Sequence, residues 1–169
     1  YHLTCRGHRW NKGVGIVNDD YESTMSRCRH DFIRKWGDWI QNDEYQFPII
    51  NPKYDIGIIL SHNNIDLLRA LEPWCSNIYC NDSLGKHYIT IDQSKSNYNL
   101  SERVLPYSSE KNNEILITIG DNFGNEDYRH IQNLSAILTD SGAIGEFILG
   151  NLKIEIIQMK DYVNGLINL

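Results

Sequence analysis

The sequence predicts an α/β domain in three layers, with helices on both faces of a sheet, and three observations carry that prediction. Tyr54-Asp-Ile-Gly-Ile-Ile-Leu60 is a short aliphatic run without helical spacing, the pattern of a strand buried on both faces and placed mid-sheet. Ile65, Leu68 and Leu71 then recur at helical intervals until Pro73, behind a Ser61-His-Asn-Asn64 start whose side-chain oxygens suit orphan amide groups. Ser76-Asn-Ile-Tyr-Cys-Asn-Asp82 reads as a second strand ending on an acid, which completes a strand, helix and strand crossover unit.

The remaining elements follow from the same periodicities. Tyr1 to Cys5 reads as a strand and Arg6 to Val17 as a glycine-bearing loop. Asn18 or Asp19 then caps a helix whose stripe is Tyr21, Met25, Cys28, Phe32 and Trp36, with Gly37 placed to end it. Asp38 to Lys53, with Pro48 and Pro52, is a connection, and a boundary near residue 50 separates a front segment (1–49) from the main domain (50–169). His87 to Asp92 alternates as a strand, Asn99 to Val104 forms a short helix before Pro106, and Glu114 to Gly120 is a second strongly apolar strand. Tyr128, Ile131, Leu134 and Ile137 mark one amphipathic helix. Ala143 to Leu149 and Leu152 to Gln158 pair as a hairpin around Gly150-Asn151, and a helix from Lys160 to Ile167 follows.

Composition narrows the class of function. A chain of 169 residues with 41% hydrophobic residues has enough apolar material for a real core. A net charge of -6 offers no general attraction to phosphate backbones, so nucleic acid is not an expected partner. The one basic cluster, Arg27, Arg29, His30, Arg34 and Lys35, reads as a solvated helix face. Cys5, Cys28, Cys75 and Cys80 lack a paired metal spacing and read as reduced thiols, which suits a cytoplasmic setting. No apolar run is long enough to be a transmembrane segment. Three Asn-x-Ser triplets, at Asn81, Asn99 and Asn133, are put down to the abundance of asparagine. Tyr1 in place of an initiator Met is read as the start of a fragment or processed product.

Two resemblances bear on function. Gly7-His-Arg-Trp-Asn-Lys-Gly13, followed by a helix ending Asp31-Phe-Ile-Arg-Lys-Trp-Gly37, resembles the C-terminal end of the catalytic domain of family-two, GT-A-type glycosyltransferases. That resemblance implies His8 as a ligand of a divalent metal, Mn or Mg, on the diphosphate of a nucleotide-sugar donor. It places Trp10, Asn11 and Lys12 near the donor or a hydroxyl acceptor. A metal held by imidazole and carboxylate would neutralise the diphosphate leaving group. The sequence has no Asp-x-Asp motif before His8, and Asn18-Asp-Asp20 sits where a helix is capped. The resemblance therefore implies a glycosyltransferase tail joined to an accessory Rossmann-like domain, inactive alone.

The main domain, in its element order, also resembles the class I S-adenosylmethionine methyltransferases, which implies Asp82 on the cofactor ribose. Ser61, Asn63 and Asp121 would line the same crevice at the carboxyl ends of the strands. Ser61-His-Asn-Asn64 stands where that family carries a glycine-rich turn. A third expectation is a non-enzymatic interaction module, marked by an exposed apolar patch on the front helix.

Overall fold

The structure, a computed structural model, describes residues 18–160 apart from residue 50, with side chains from residue 23 onward. The strand expected over 1–5, the terminal helix over 160–167 apart from its first residue, and His8, Trp10, Asn11 and Lys12 lie outside the described residues. The described chain forms α1 (Asn18–Trp36), a ribbon of β1 (Gln41–Asn42) and β2 (Pro48–Ile49), and then the α/β body. That body runs β3 (Ile56–Ile59), α2 (Ile65–Leu71), β4 (Asn77–Cys80), α3 (Asp82–Asp92), α4 (Leu100–Arg103), β5 (Val104–Pro106) and β6 (Ile115–Ile119). It closes with α5 (Asn125–Gln132), α6 (Leu134–Ser141) and the hairpin β7 (Gly145–Leu149) and β8 (Leu152–Ile156).

The six-stranded sheet has the order β5-β4-β3-β6-β8-β7. Its first four strands are parallel, and β8 runs antiparallel between β6 and β7. With helices flanking the sheet this is a Rossmann-like three-layer fold, as the sequence predicts. Strand β3 is mid-sheet because Ile56 and Ile58 are buried, as are Ile115 and Ile117 beside them on β6. Each fully buried aliphatic side chain of this kind contributes about 1.5–3 kcal/mol of transfer free energy. Gly57 is required in β3 by close approach: a Cβ there would collide with Asn113 Oδ1 and lie 2.9 Å from Leu116 Cδ2. Asn113 cannot yield, since it accepts from the Tyr79 hydroxyl at 2.7 Å and donates to Asp55 and Asn77.

Several elements differ from expectation. Residues 87–92 are the second half of helix α3 rather than a strand. Asn81 accepts from the Ser83 and Leu84 amides and starts a helix that buries Leu84, Tyr88 and Asp92. Asp82 is accordingly the first helical residue and not the end of β4. The expected helix through Tyr128 and Ile137 is two helices, α5 and α6, which meet at Asn133. Strand β5 was not foreseen in the three residues around Leu105. At the hairpin turn Gly150 takes a positive φ, and Asn151 does not. The triplet asparagines Asn81 and Asn99 are helix caps, which gives Asn-x-Ser a local structural reason.

Helix α1 turns a different face inward from the stripe read in the sequence. Met25 and Cys28 are exposed, whereas Ile33 and Arg34 are buried. The basic face is therefore not wholly solvated. Gly37, at φ +78°, ends the helix as expected.

Candidate functional site

The crevice at the carboxyl ends of the strands opens between β3 and β6, where the strand order reverses direction. The loops after these strands carry Ser61, His62 and Asn63 on one side and Asp121 on the other. His62 Nε2 lies 3.3 Å from the Asp121 carbonyl, so the ring carries its proton there and joins the two loops. Its Nδ1 is buried with no partner among the described residues. Ser61, Asn63 and Asp121 are exposed along the rim.

Much of the polar capacity at this end is used by the fold itself. Asn64 accepts from the Asp66 and Leu67 amides at 2.9 and 3.1 Å, which occupies the start of α2. The Tyr107 hydroxyl donates to the Leu60 carbonyl. Asp82 pairs with Lys86 at 2.6 Å on an exposed turn of α3, an arrangement worth little to stability. Ser61, Asn63 and Asp121 thus share a rim, and Asp82 belongs to the neighbouring helix start.

The opposite end of the sheet holds a buried charge cluster that the sequence did not reveal. Glu72 follows α2 and is 0% exposed. Arg34 Nε of α1 donates to both of its oxygens at 3.2 and 3.1 Å, Arg103 Nε donates to Oε1, and the Tyr88 hydroxyl donates to Oε2 at 3.2 Å. Burial works to raise the Glu72 carboxyl, but the bond from Arg34 and the charges of Arg103 and Arg34 overcome it and hold the group below its ordinary range. Burial pushes the Tyr88 hydroxyl up, with the Glu72 charge adding to it.

The cluster ties α1 to the amino ends of the parallel strands, since Glu72 and Cys75 precede β4 and Arg103 precedes β5. Two further contacts complete the anchor. Lys53 Nζ donates to the Arg34 carbonyl at 2.8 Å, satisfying the end of α1. Asp31 accepts from Asn97 Nδ2 at 2.7 Å and pairs with Arg34 at 2.8 Å. An acid wedged between Leu71 and Pro73 was the one signal in the sequence, for a charge beside a helix's apolar stripe calls for a partner.

Among the described residues no three His, Cys, Asp or Glu side chains come together as a metal site. Among them, too, no helix is long and apolar enough to cross a membrane. No family model matches the chain, and neither a curated protein nor a solved structure does.

Proposed function

We propose that this chain serves as the C-terminal portion of a nucleotide-sugar-dependent glycosyltransferase, in which the Rossmann-like domain positions an acceptor and performs no chemistry itself. The observation that carries this reading is the Arg34–Glu72–Arg103 cluster. It fastens the helix ending in Phe32-Ile-Arg-Lys-Trp-Gly37 to the amino end of the sheet, giving a glycosyltransferase-like segment a rigid base. The self-capped loops at the other end suit a scaffold. On this reading His8 holds Mn or Mg on the donor diphosphate in a cytoplasmic enzyme, and Trp10, Asn11 and Lys12 border donor and hydroxyl acceptor.

A second reading, a degenerate S-adenosylmethionine methyltransferase-like domain, is favoured by the sheet order around β3 and β6. An interaction module is favoured by Met25, Trp39 and Phe47, which are exposed on α1, on the segment after it and on the turn of the ribbon. Thermal unfolding separates these readings, because a ligand that binds only the folded state raises the midpoint. A rise with uridine or guanosine diphospho-sugar that requires manganese and disappears in His8→Ala supports the glycosyltransferase reading. A rise with S-adenosylmethionine that disappears in Asp82→Ala replaces it.

A further inference from the structure

We propose that the cleft between α1, the segment before the ribbon and α5 is a binding site for a neutral saccharide. The cleft has a volume of about 350 Å³, within the range of small-molecule sites and sufficient for one or two sugar rings. Its walls combine aromatic rings and amides with one guanidinium, Arg29, and one carboxylate, Asp38; a pyranose presents its C–H face to the first kind of surface and its hydroxyls to the polar groups.

The aromatic side is held in place before any ligand arrives. Trp39 is 40% exposed, and its indole is oriented by the Phe32 ring, edge-on at 5.4 Å, and by the Arg29 guanidinium at 5.1 Å. Trp74 donates from Nε1 to the Tyr128 hydroxyl at 3.3 Å, and that hydroxyl donates onward to the Ala70 carbonyl at 3.4 Å. These bonds fix the two rings on the far wall.

The polar side has capacity to spare. Gln41 and Gln132 line the cleft and make no side-chain hydrogen bond among the described residues. Asn133 donates its amide to the Arg129 carbonyl at 2.8 Å, which leaves its own side-chain oxygen as an acceptor. Asp38 is 8% exposed; its oxygens accept from the Trp39 amide at 2.6 Å and from Asn51 at 2.5 Å, and each keeps a lone pair for a hydroxyl. His30 also lines the wall, and burial and the Arg34 charge lower its pKa from the ordinary value. Amides that both donate and accept, beside a carboxylate that accepts, match hydroxyls better than they match an anion. A second cleft on the other side of His30 is richer in cations, but Arg69 and Lys95 there are already paired with Asp92.

The proposal rests on the glycosyltransferase reading only in making the saccharide an acceptor; binding itself stands apart from donor or metal. The test is saturation-transfer NMR on the full chain with methyl glycosides of glucose, galactose, mannose and N-acetylglucosamine, and with cellobiose and lactose, without nucleotide or metal. Transfer is expected to at least one of them, weakened about tenfold by Trp39→Ala and by Gln132→Ala. Both variants are to keep the parent's unfolding midpoint, and Lys86→Ala, exposed at the opposite end, is to bind as the parent does. No transfer to any of these sugars at tens of millimolar, or unchanged binding in two folded cleft variants, overturns the proposal. Either result leaves the response to sugar nucleotide and manganese untouched.

Discussion

Glu72 is the residue that joins the front helix to the sheet, since its carboxylate accepts from Arg34, Arg103 and Tyr88 together. Removing it leaves two guanidinium groups without their buried partner, so Glu72→Ala is expected to lower stability by about 3–5 kcal/mol in urea unfolding. The pH dependence follows from the sign of its shift. A carboxyl held below its ordinary 4.5 contributes in full above that value and loses its contribution as pH falls through the depressed folded value. The stability gap between the parent and Glu72→Gln is therefore expected to be constant near neutrality and to shrink below pH 4.5. The thiols separate in the same local way. Cys28 is exposed, Cys75 and Cys80 are buried, and burial pushes the Cys80 thiol up to about 11 and the Cys75 thiol higher still. Mass mapping after native labelling with a disulfide reagent is expected to find Cys28 modified, and Cys75 and Cys80 only after denaturation.

Among the elements, the hairpin is placed by the pairing of β8 with β6, and its turn is tied to α5 by one side chain. Asp127 accepts from the Asn151 amide at 2.8 Å, from Asn151 Nδ2 at 3.1 Å and from the Gly124 amide at 2.8 Å, so it starts the helix and holds the turn together. The Asn151 amide, opposed in part by desolvation and assisted by Gly124, lowers its carboxyl below the ordinary range. Asp127→Ala is expected to cost about 1–3 kcal/mol and to speed hydrogen exchange at the Asn151 amide. Among the described residues the hairpin's outer strand β7 is an edge strand of the sheet, with Ile148 83% exposed. Ile148→Lys is expected to raise the concentration at which the protein stays monodisperse in light scattering, while stability changes by about 0.5 kcal/mol or less.

At the scale of the whole molecule, α1 and the sheet share one core, because Ile33 packs in the same apolar cluster as Tyr54, Ile56 and Trp74. Loss of the sheet would take Glu72 from Arg34 and the apolar cluster from Ile33, so α1 is not expected to survive as a separate folded unit. Denaturant unfolding followed by tryptophan fluorescence and by far-ultraviolet circular dichroism is expected to give coincident single transitions. Two separate transitions would show that the anchor does not couple α1 to the sheet.

The sequence by itself determined the fold class, because runs such as Tyr54 to Leu60 and Glu114 to Gly120 have only one way to hide their apolar residues, as central strands. A capping stretch over Ser61 to Asn64, of which Asn64 is the cap, Gly37 as the end of α1 and Gly150 in the hairpin turn were legible from local chemistry. Alternation misled over 87–92, where Asn81 caps a helix and Tyr88 finds a buried partner in Glu72, so tertiary packing outweighed the β-branched residues. The inward face of α1 was illegible too, since a buried Arg34 makes sense only beside an acid 38 positions away. The crevice rim could be placed from the ends of strands, but the cleft of Trp39, Trp74 and Tyr128 could not. Its walls come from three distant segments, and only the docking of α1 on the sheet brings them together.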